Sequence, residues 1–282
     1  MQYIGFACNI VLDSYEINLG GGYAVGNVSF AQKGHIAVLT LNRPEVFNAF
    51  NYTLLNELHG YVEKIRTSSD IRVVIITGAG EKAFSAGADL KERKTLTEEE
   101  VRRNIFKIGE VFHAIDSLPQ PTIAAINGVA FGGGLELALA CDFRIAQTES
   151  IMGLTETSLA IIPGAGGTQR LPRLIGEAKA LELILMARRV TAEEALTIGL
   201  VNDVSRKEDL IETSMNWAER MLVNGPLALK QAKFAIKQGM NTDLVTGLRI
   251  EQKAYEVLIP TEDRIEALAA FAEKRKPKFK GK

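Results

Sequence analysis

The sequence predicts an α/β fold that ends in a helical region, and three observations support this prediction. Short apolar runs, typical of buried strands, alternate with segments whose apolar residues recur at helical spacing. Glycine-rich turns separate several of these segments. From about Thr191 onward the strand-like runs stop, and only helical patterns follow. We therefore expect the sheet in the first two thirds of the chain.

The elements of the first half can be placed in chain order. Glycines at 20–22 and 26 suggest a flexible lead-in, and a buried strand is predicted at 35–41. A helix is predicted next at 51–67, with one apolar face formed by Leu54, Leu55, Leu58, Val62 and Ile65. A second strand is predicted at 71–77. Another helix begins near Thr97, whose spacing to Glu100 is that of a capping box.

The second half begins with strands and ends with helices. Strands are predicted at 121–126, 142–146 and 150–154, and Pro226 and Pro260 each open a helical pattern. We therefore divide the chain into an N-terminal extension at 1–26, a core at 27–205 and a helical region at 206–282. The last helix has an apolar stripe at Ile265, Leu268, Ala269 and Ala272. This stripe could pack against the core or against another subunit.

The bulk composition excludes several classes of protein. The chain has 282 residues, 46% hydrophobic and 24% charged, with a formal net charge of −1. A general nucleic-acid binder would carry a clear basic excess. Only the last ten residues are locally basic, either as a solvated tail or as a phosphate contact. No apolar run approaches the roughly 18 residues of a membrane span, so no membrane partner is expected.

The cysteines and histidines indicate no disulfide framework and no metal site. Cys8 and Cys141 are too few for a disulfide scaffold, and the histidines at 35, 59 and 113 lack ligand-like spacing. The N-terminus also lacks the charge and cleavage pattern of a signal peptide. We therefore expect a reducing, cytoplasmic setting.

Among the segments that could carry chemistry, the richest is Asn127-Gly-Val-Ala-Phe-Gly-Gly-Gly-Leu-Glu136. Its glycines follow a predicted strand and open a helix, whose free N–H groups can bind an oxyanion or a phosphate. Glu136 lies in an otherwise apolar run. Such an acid is either a satisfied structural group or a tuned catalytic one.

Two further stretches place polar groups at turns. Glu156 precedes the glycine-rich turn Gly164-Ala-Gly-Gly-Thr168, which completes neither a P-loop nor a dinucleotide fingerprint. The segment Phe84-Ser-Ala-Gly-Ala-Asp89 precedes a helical pattern, with Ala88 where its amide could face a ligand. Two amides from different segments can hold a carbonyl oxygen that gains negative charge. Taken alone, the pattern around Glu156 favours a surface or helix-start acid, and the Ala88 segment favours a plain helix start.

Together these motifs resemble the crotonase superfamily, and specifically the enoyl-CoA hydratases. The resemblance rests on Ser85-Ala-Gly-Ala-Asp89, on Gly132-Gly-Gly-Leu-Glu136, and on Glu156 followed by Ile162-Pro-Gly-Ala-Gly-Gly-Thr-Gln-Arg170. It extends from about Val28 to the C-terminus. The resemblance implies a spiral of ββα units with a helical C-terminal trimerisation region. Such trimers usually pair into hexamers.

The resemblance also implies roles for individual residues. The amides of Ala88 and Gly133 match an oxyanion hole, and Glu136 and Glu156 match the carboxylates that flank the catalytic water. The CoA contacts that it implies involve Ala86, Ala88 and Leu90 at the adenine, and Phe271 and Lys274 at a neighbouring subunit's CoA. CoA is part of the substrate, so no separate cofactor is expected.

One departure from the family pattern concerns the CoA phosphates. Many relatives carry a lysine after the Arg-Pro of the first loop, where this chain has Glu45. Arg43 or Lys91 could take its place.

The two acids together favour a hydratase over a double-bond isomerase, because isomerases of this superfamily often lack one of them. Several segments resemble the methylglutaconyl-CoA hydratase subgroup, namely Ala88-Asp-Leu-Lys-Glu-Arg93, Gly134-Leu-Glu-Leu-Ala-Leu-Ala-Cys-Asp142, Met152-Gly-Leu-Thr-Glu-Thr157 and Asp243-Leu-Val-Thr-Gly-Leu248. A generic short-chain enoyl-CoA hydratase is the other reading. One relative in the subgroup binds RNA through a lysine-rich helix. The equivalent region here has only Lys64 and Arg66, so we expect no nucleic-acid partner.

Overall fold

The computed structural model describes residues 26–282, together with two short strands near the N-terminus. These strands, β1 (Val11–Leu12) and β2 (Tyr15–Glu16), pair antiparallel. The rest of the predicted N-terminal extension lies outside the described residues.

The remaining strands and the helices follow in chain order. The strands are β3 (Val28–Lys33), β4 (Ile36–Leu41), β5 (Val73–Gly78), β6 (Ala83–Ser85), β7 (Thr122–Ile126), β8 (Val129–Phe131), β9 (Phe143–Gln147), β10 (Ile151–Gly153), β11 (Val190–Thr191) and β12 (Asp203–Ser205). The helices are α1 (Tyr52–Thr67), α2 (Leu90–Arg93), α3 (Glu98–Asp116), α4 (Gly133–Ala140), α5 (Gly167–Ile175), α6 (Glu177–Leu185), α7 (Ala192–Thr197), α8 (Leu210–Leu222), α9 (Pro226–Gly239), α10 (Leu244–Glu256) and α11 (Glu262–Ala272).

Two sheets wind together through the core. The larger has six strands in the order β12-β9-β7-β5-β4-β3, parallel except for the β3–β4 pair. The smaller has the order β11-β10-β8-β6. Consecutive strands alternate between the sheets: β5, β7 and β9 join the larger one, while β6, β8 and β10 join the smaller. Each pair is followed by a helix, and this confirms the predicted spiral of ββα units.

The apolar pattern of β5 explains why the larger sheet lies in the middle of the molecule. All six of its residues are buried. Val74 and Ile76 face the main core, whereas Val73 and Ile75 pack in a second cluster with α8 residues such as Met215. A strand covered on both faces shows a continuous apolar run instead of alternation. The predicted strand at 71–77 is thus a central strand.

The structure confirms most of the helix features that the sequence predicts. The five residues predicted for the apolar face of α1 are its buried residues. Thr97 and Glu100 form a complete capping box at the start of α3, and Pro226 occupies the first turn of α9. The last helix differs slightly, because the side chain of Thr261 caps it and α11 begins only at Glu262. Pro260 therefore precedes the helix and is not part of its first turn.

The C-terminal helices leave much apolar surface open. On α11, Ile265 is 59% exposed, Leu268 62% and Phe271 86%. The predicted stripe of this helix therefore does not pack against the core of its own protomer. Among the described residues, no helix is both long and apolar enough to cross a lipid bilayer.

Candidate active site

The first feature of the site is a pair of backbone amides from two turns of the spiral. Ala88 forms an isolated parallel bridge with Phe50. In this bridge the carbonyl of Gly87 and the amide of Asp89 bond to Phe50, so the amide of Ala88 points to the opposite side. Gly133 is the first residue of α4, where an amide has no intrahelical acceptor. Both N–H groups are available to a ligand.

Three glycines bring these amides together. A β-carbon on Gly87 would lie 3.0 Å from the nitrogen of Gly133, and a β-carbon on Gly134 would lie 2.0 Å from the carbonyl oxygen of Ser85. Gly132 has φ 51° and ψ −123°, a conformation that side chains disfavour. The chain therefore needs glycine at these positions, because the two backbones approach each other closely here.

Glu136 lies three residues after Gly133, and the glycine-rich turn that contains Ala165 and Gly167 holds its carboxylate. It is only 3% exposed. Its Oε1 accepts hydrogen bonds from the amides of Ala165 at 2.7 Å and Gly167 at 2.8 Å. Burial raises the pKa of Glu136, while these two amides and the charge of Arg170 oppose the rise. Burial thus favours the protonated form of Glu136, whereas the two amide donors stabilise its ionised form.

Glu156 lies beside Gly132, in the glycine run that carries the second amide. A β-carbon on Gly132 would lie 3.1 Å from its Oε1. Its Oε2 is buried and accepts no hydrogen bond from the described residues. Burial raises the pKa of Glu156 to about 7, and the charge of Glu136 adds to the rise. At neutral pH this carboxyl is therefore protonated for a substantial part of the time.

Sequence reasoning missed the residues that hold the turn around Glu136. Arg170 donates to the carbonyl oxygen of Ala165 at 2.9 Å and to Oδ2 of Asp116 at 3.2 Å. Gly166 has φ 106°, and a β-carbon there would lie 2.2 Å from the guanidinium of Arg170. The signal in the sequence that could have indicated this contact was Arg170 itself, the last residue of the glycine-rich motif. No pattern pointed to Asp116, which lies 54 positions away.

The residues predicted to contact CoA lie in two regions. Ala86, Leu90 and Lys91 are exposed and Ala88 is half-buried, so the segment that carries the first amide is open to a ligand. Arg43 is already engaged, because it pairs with Asp89 at 3.0 Å and donates to the carbonyl of Ala49 at 2.7 Å. Its predicted contact with a CoA phosphate, and that of Lys91, stay predictions.

The second region lies at the end of α11. Phe271 is 86% exposed, and Lys274, which is also exposed, has φ 55° just after the helix. Their reach to a neighbouring subunit's CoA stays a prediction. The described residues contain no group of three or more His, Cys, Asp or Glu side chains that could hold a metal ion.

Two converging amides beside one buried carboxylate, Glu136, and one half-buried carboxylate, Glu156, define a class of site suited to forming and protonating an enolate. The comparisons agree with this class. The family model for enoyl-CoA hydratase/isomerase matches residues 31–282, and the chain belongs to this family.

Individual relatives are similar over most of the chain. YngF of Bacillus subtilis, provisionally named an enoyl-CoA hydratase/isomerase, is 57% identical over 88% of this chain and 95% of its own. The human mitochondrial methylglutaconyl-CoA hydratase is 47% identical over 87% of this chain and 74% of its own. The crystal structure of an enoyl-CoA hydratase from Bacillus anthracis matches with a TM-score of 0.90 at 52% identity, covering 91% of this chain and 100% of that one.

Proposed function

We propose that this protein is a hydratase that adds water across the 2,3-double bond of a 2-enoyl-CoA thioester. The observation that supports this most directly is the contrast between the two glutamates. Glu136 accepts two backbone hydrogen bonds, whereas Glu156 has a buried oxygen that no described residue hydrogen-bonds and a pKa of about 7. A pair of acids in such different environments provides a base and an acid at the same pH.

The proposed reaction assigns a role to each group. The amides of Ala88 and Gly133 donate to the thioester oxygen, which gains negative charge as the enolate forms. Both bonds to Glu136 fall on Oε1, so its Oε2 can take a proton from water while the water oxygen bonds to Cβ. Glu156 then gives its proton to Cα. Because both carboxylates act on one face of the substrate, the addition is syn. The two acids titrate as a pair, and proton exchange with solvent restores them.

The test is turnover of crotonyl-CoA, followed as loss of the absorbance of the conjugated thioester. Replacing a general acid or base typically lowers the rate by about 10²–10⁴-fold. We expect Glu136→Gln and Glu156→Gln each to lower kcat within this range while CoA binding persists. Normal turnover by the double variant would overturn the assignment.

A double-bond isomerase is the second candidate, since the matching family includes both activities. An isomerase needs one carboxylate to move a proton between Cα and Cγ. Both carboxylates here lie in the same site, Glu136 buried and Glu156 half-buried, and this supports hydration instead. A 3-enoyl-CoA that is converted to a 2-enoyl-CoA, with no hydrated product, would favour the isomerase.

The proposal also covers the acyl group of the substrate, the oligomeric state and the cellular location. Relatives of this chain include a methylglutaconyl-CoA hydratase and a short-chain-enoyl-CoA hydratase, so a branched acidic chain and a short straight chain are both candidates. The exposed apolar stripe of α11 supports a homotrimer or a hexamer. A cytoplasmic setting stays a prediction.

A further inference from the structure

A cavity separate from the candidate active site lies between the end of α3 and one face of α9. Its volume is about 340 Å³, within the range of roughly 300–1,000 Å³ that small-molecule sites span. Residues within 113–119 form one wall, and residues within 230–241 form the other. Neither amide segment nor either glutamate of the candidate active site lines this cavity. The cavity therefore needs an explanation of its own.

Three lysines of α9, namely Lys230, Lys233 and Lys237, line the cavity. Their spacing of three and four residues places them on one face of the helix. Each ammonium group has three N–H donors. Lys230 is half-buried and forms no hydrogen bond or ion pair with any residue that the structure describes. Lys233, whose side chain is only 10% exposed, pairs with Asp142 at 2.6 Å and donates to the carbonyl of Gln120 at 2.9 Å, so it keeps one donor.

The charges around the cavity do not balance. Lys237 donates to Asp116 at 2.6 Å and lies 3.3 Å from Oδ1 of Asp142. Arg170 pairs with the same Asp116 at 3.2 Å. The three lysines and Arg170 contact no other carboxylate in the described part of the chain, so two positive charges lack a counter-charge. Cations that are partly removed from water favour the binding of an anion.

We propose that this cavity binds a small organic phosphate. A phosphate monoester carries a charge of about −1.5 to −2 at pH 7, which matches the two positive charges in excess, whereas a carboxylate would leave one of them. Lysine binds phosphate as a point charge, and the three ammonium groups have donors left for it. The apolar wall that Leu118 and Phe234 contribute can contact the organic part of the ligand.

A ligand in this cavity would also affect the candidate active site. Asp116, the partner of Lys237, bonds Arg170, which holds the carbonyl of Ala165 in the turn that donates to Glu136. A phosphate that bonds Lys237 competes with Asp116 for this ammonium group, and this loosens the turn. Occupancy of the cavity should therefore lower kcat, since a ligand shifts a second site only through a contact that differs between two states. This part of the inference rests on the proposed hydratase function.

Calorimetry with phenyl phosphate tests the binding. An ionic strength of about 0.15 M screens isolated surface lysines, and butyryl-CoA at saturation keeps the probe out of the candidate active site. We expect Lys230→Gln to weaken phenyl phosphate binding about 10-fold, as for loss of a charged hydrogen-bond donor. Benzoate, which has the same ring and a single charge, should bind less tightly than phenyl phosphate. The matched control is Lys33→Gln, an exposed lysine at the end of β3 that does not line the cavity, and its affinity should equal that of the wild type.

Steady-state kinetics with crotonyl-CoA test the link to Glu136. Phenyl phosphate should lower kcat of the wild type with little change in KM, and it should lower kcat of Lys230→Gln much less. Absence of binding, or equal binding by Lys230→Gln and the wild type, would overturn the phosphate site. Binding that leaves kcat unchanged, or that raises only KM, would overturn the link. Calorimetry requires no turnover, so a protein that binds phenyl phosphate but hydrates no enoyl-CoA would contradict the proposed function and not this site.

Discussion

Arg170 and Asp116 form an ion pair, with 3.2 Å between Nη2 and Oδ2, that connects the turn that holds Glu136 to the C-terminal helices. Arg170 also holds the carbonyl of Ala165, whose amide donates to Glu136. On its other side, Asp116 accepts from Lys237 of α9 at 2.6 Å. A continuous chain of polar contacts therefore runs from α9 to the proposed base.

The first prediction concerns Asp116→Asn. Burial alone would raise the pKa of Asp116, but Lys237 and Arg170 hold it below its usual value, so the ionised form is stabilised. Removing the charge leaves two cations without their shared partner. Since the side chain of Asp116 is 24% exposed, solvent screening reduces the loss to about 1–3 kcal/mol of unfolding free energy.

Kinetics distinguish a positioning role of Asp116 from a purely structural one. We expect Asp116→Asn to lower kcat for the folded variant with little change in KM, because the turn that orients Glu136 is loosened. Urea denaturation and steady-state kinetics measure the two effects. Glu98→Gln is the control, since its ion pair with Arg102 is largely exposed and should contribute almost nothing. A rise in KM alone would contradict the positioning role.

The second prediction is the pH dependence of hydration. In the proposed mechanism Glu156 is the acid, which requires its protonated form, and its pKa is raised to about 7. Activity should therefore fall as the pH rises above about 7. On the acidic side, activity should fall when Glu136, whose pKa is also raised, becomes protonated. The profile of kcat/KM against pH should be bell-shaped.

Nuclear magnetic resonance of ¹³C-labelled glutamate can assign the alkaline limb. Because the charge of Glu136 helps to raise the pKa of Glu156, Glu136→Gln should move the Glu156 titration to lower pH. An unmoved titration would mean that the two carboxylates are not coupled.

The third prediction is that Glu156→Gln stabilises the fold at alkaline pH. A carboxyl whose pKa is raised in the folded state favours folding below its unfolded value of 4.5, and this contribution is lost as the pH rises through about 7. An uncharged glutamine avoids that loss. We expect a gain of roughly 1–3 kcal/mol at pH about 8 and much less at pH about 5, after allowance for partial solvent exposure. Thermal denaturation at the two pH values measures the difference. An equal gain at both would indicate a packing effect.

The features that the sequence predicted best are those that depend only on residues close together along the chain. The capping box of Thr97 and Glu100, and the apolar face of α1, follow from local spacing, and the structure confirms both. Local context made Glu136 a candidate but left a structural acid equally open, and its catalytic role follows only from the family resemblance. By contrast, the Asp116–Lys237 bond joins residues 121 positions apart, and no periodic pattern encodes it. Only the folded spiral brings them together.

The fourth prediction compares two glycine-to-alanine changes. A β-carbon on Gly134 would lie 2.0 Å from the carbonyl oxygen of Ser85, and this backbone cannot yield without separating the two oxyanion segments. Gly134→Ala should destabilise the protein by about 3 kcal/mol or more and abolish turnover. Gly109→Ala, within α3, meets nothing within 4 Å and should stabilise by about 0.5–1 kcal/mol. Thermal denaturation and crotonyl-CoA turnover of both variants test this contrast, and tolerance of alanine at 134 would contradict the close approach.

The last prediction concerns the exposed stripe of α11. Ile265 and Leu268 are 59% and 62% exposed on the same helix, and large exposed apolar patches usually mark an interaction surface. If copies of this chain cover the stripe, the wild type should sediment as a trimer or a hexamer at micromolar concentration. Leu268→Glu places a charge in that interface and should shift the protein toward monomers without lowering the helix content seen by circular dichroism. Lys253→Glu is the control, because this side chain is 77% exposed on α10 and its change should leave the assembly intact. A wild-type monomer would show that the stripe does not join copies of this chain.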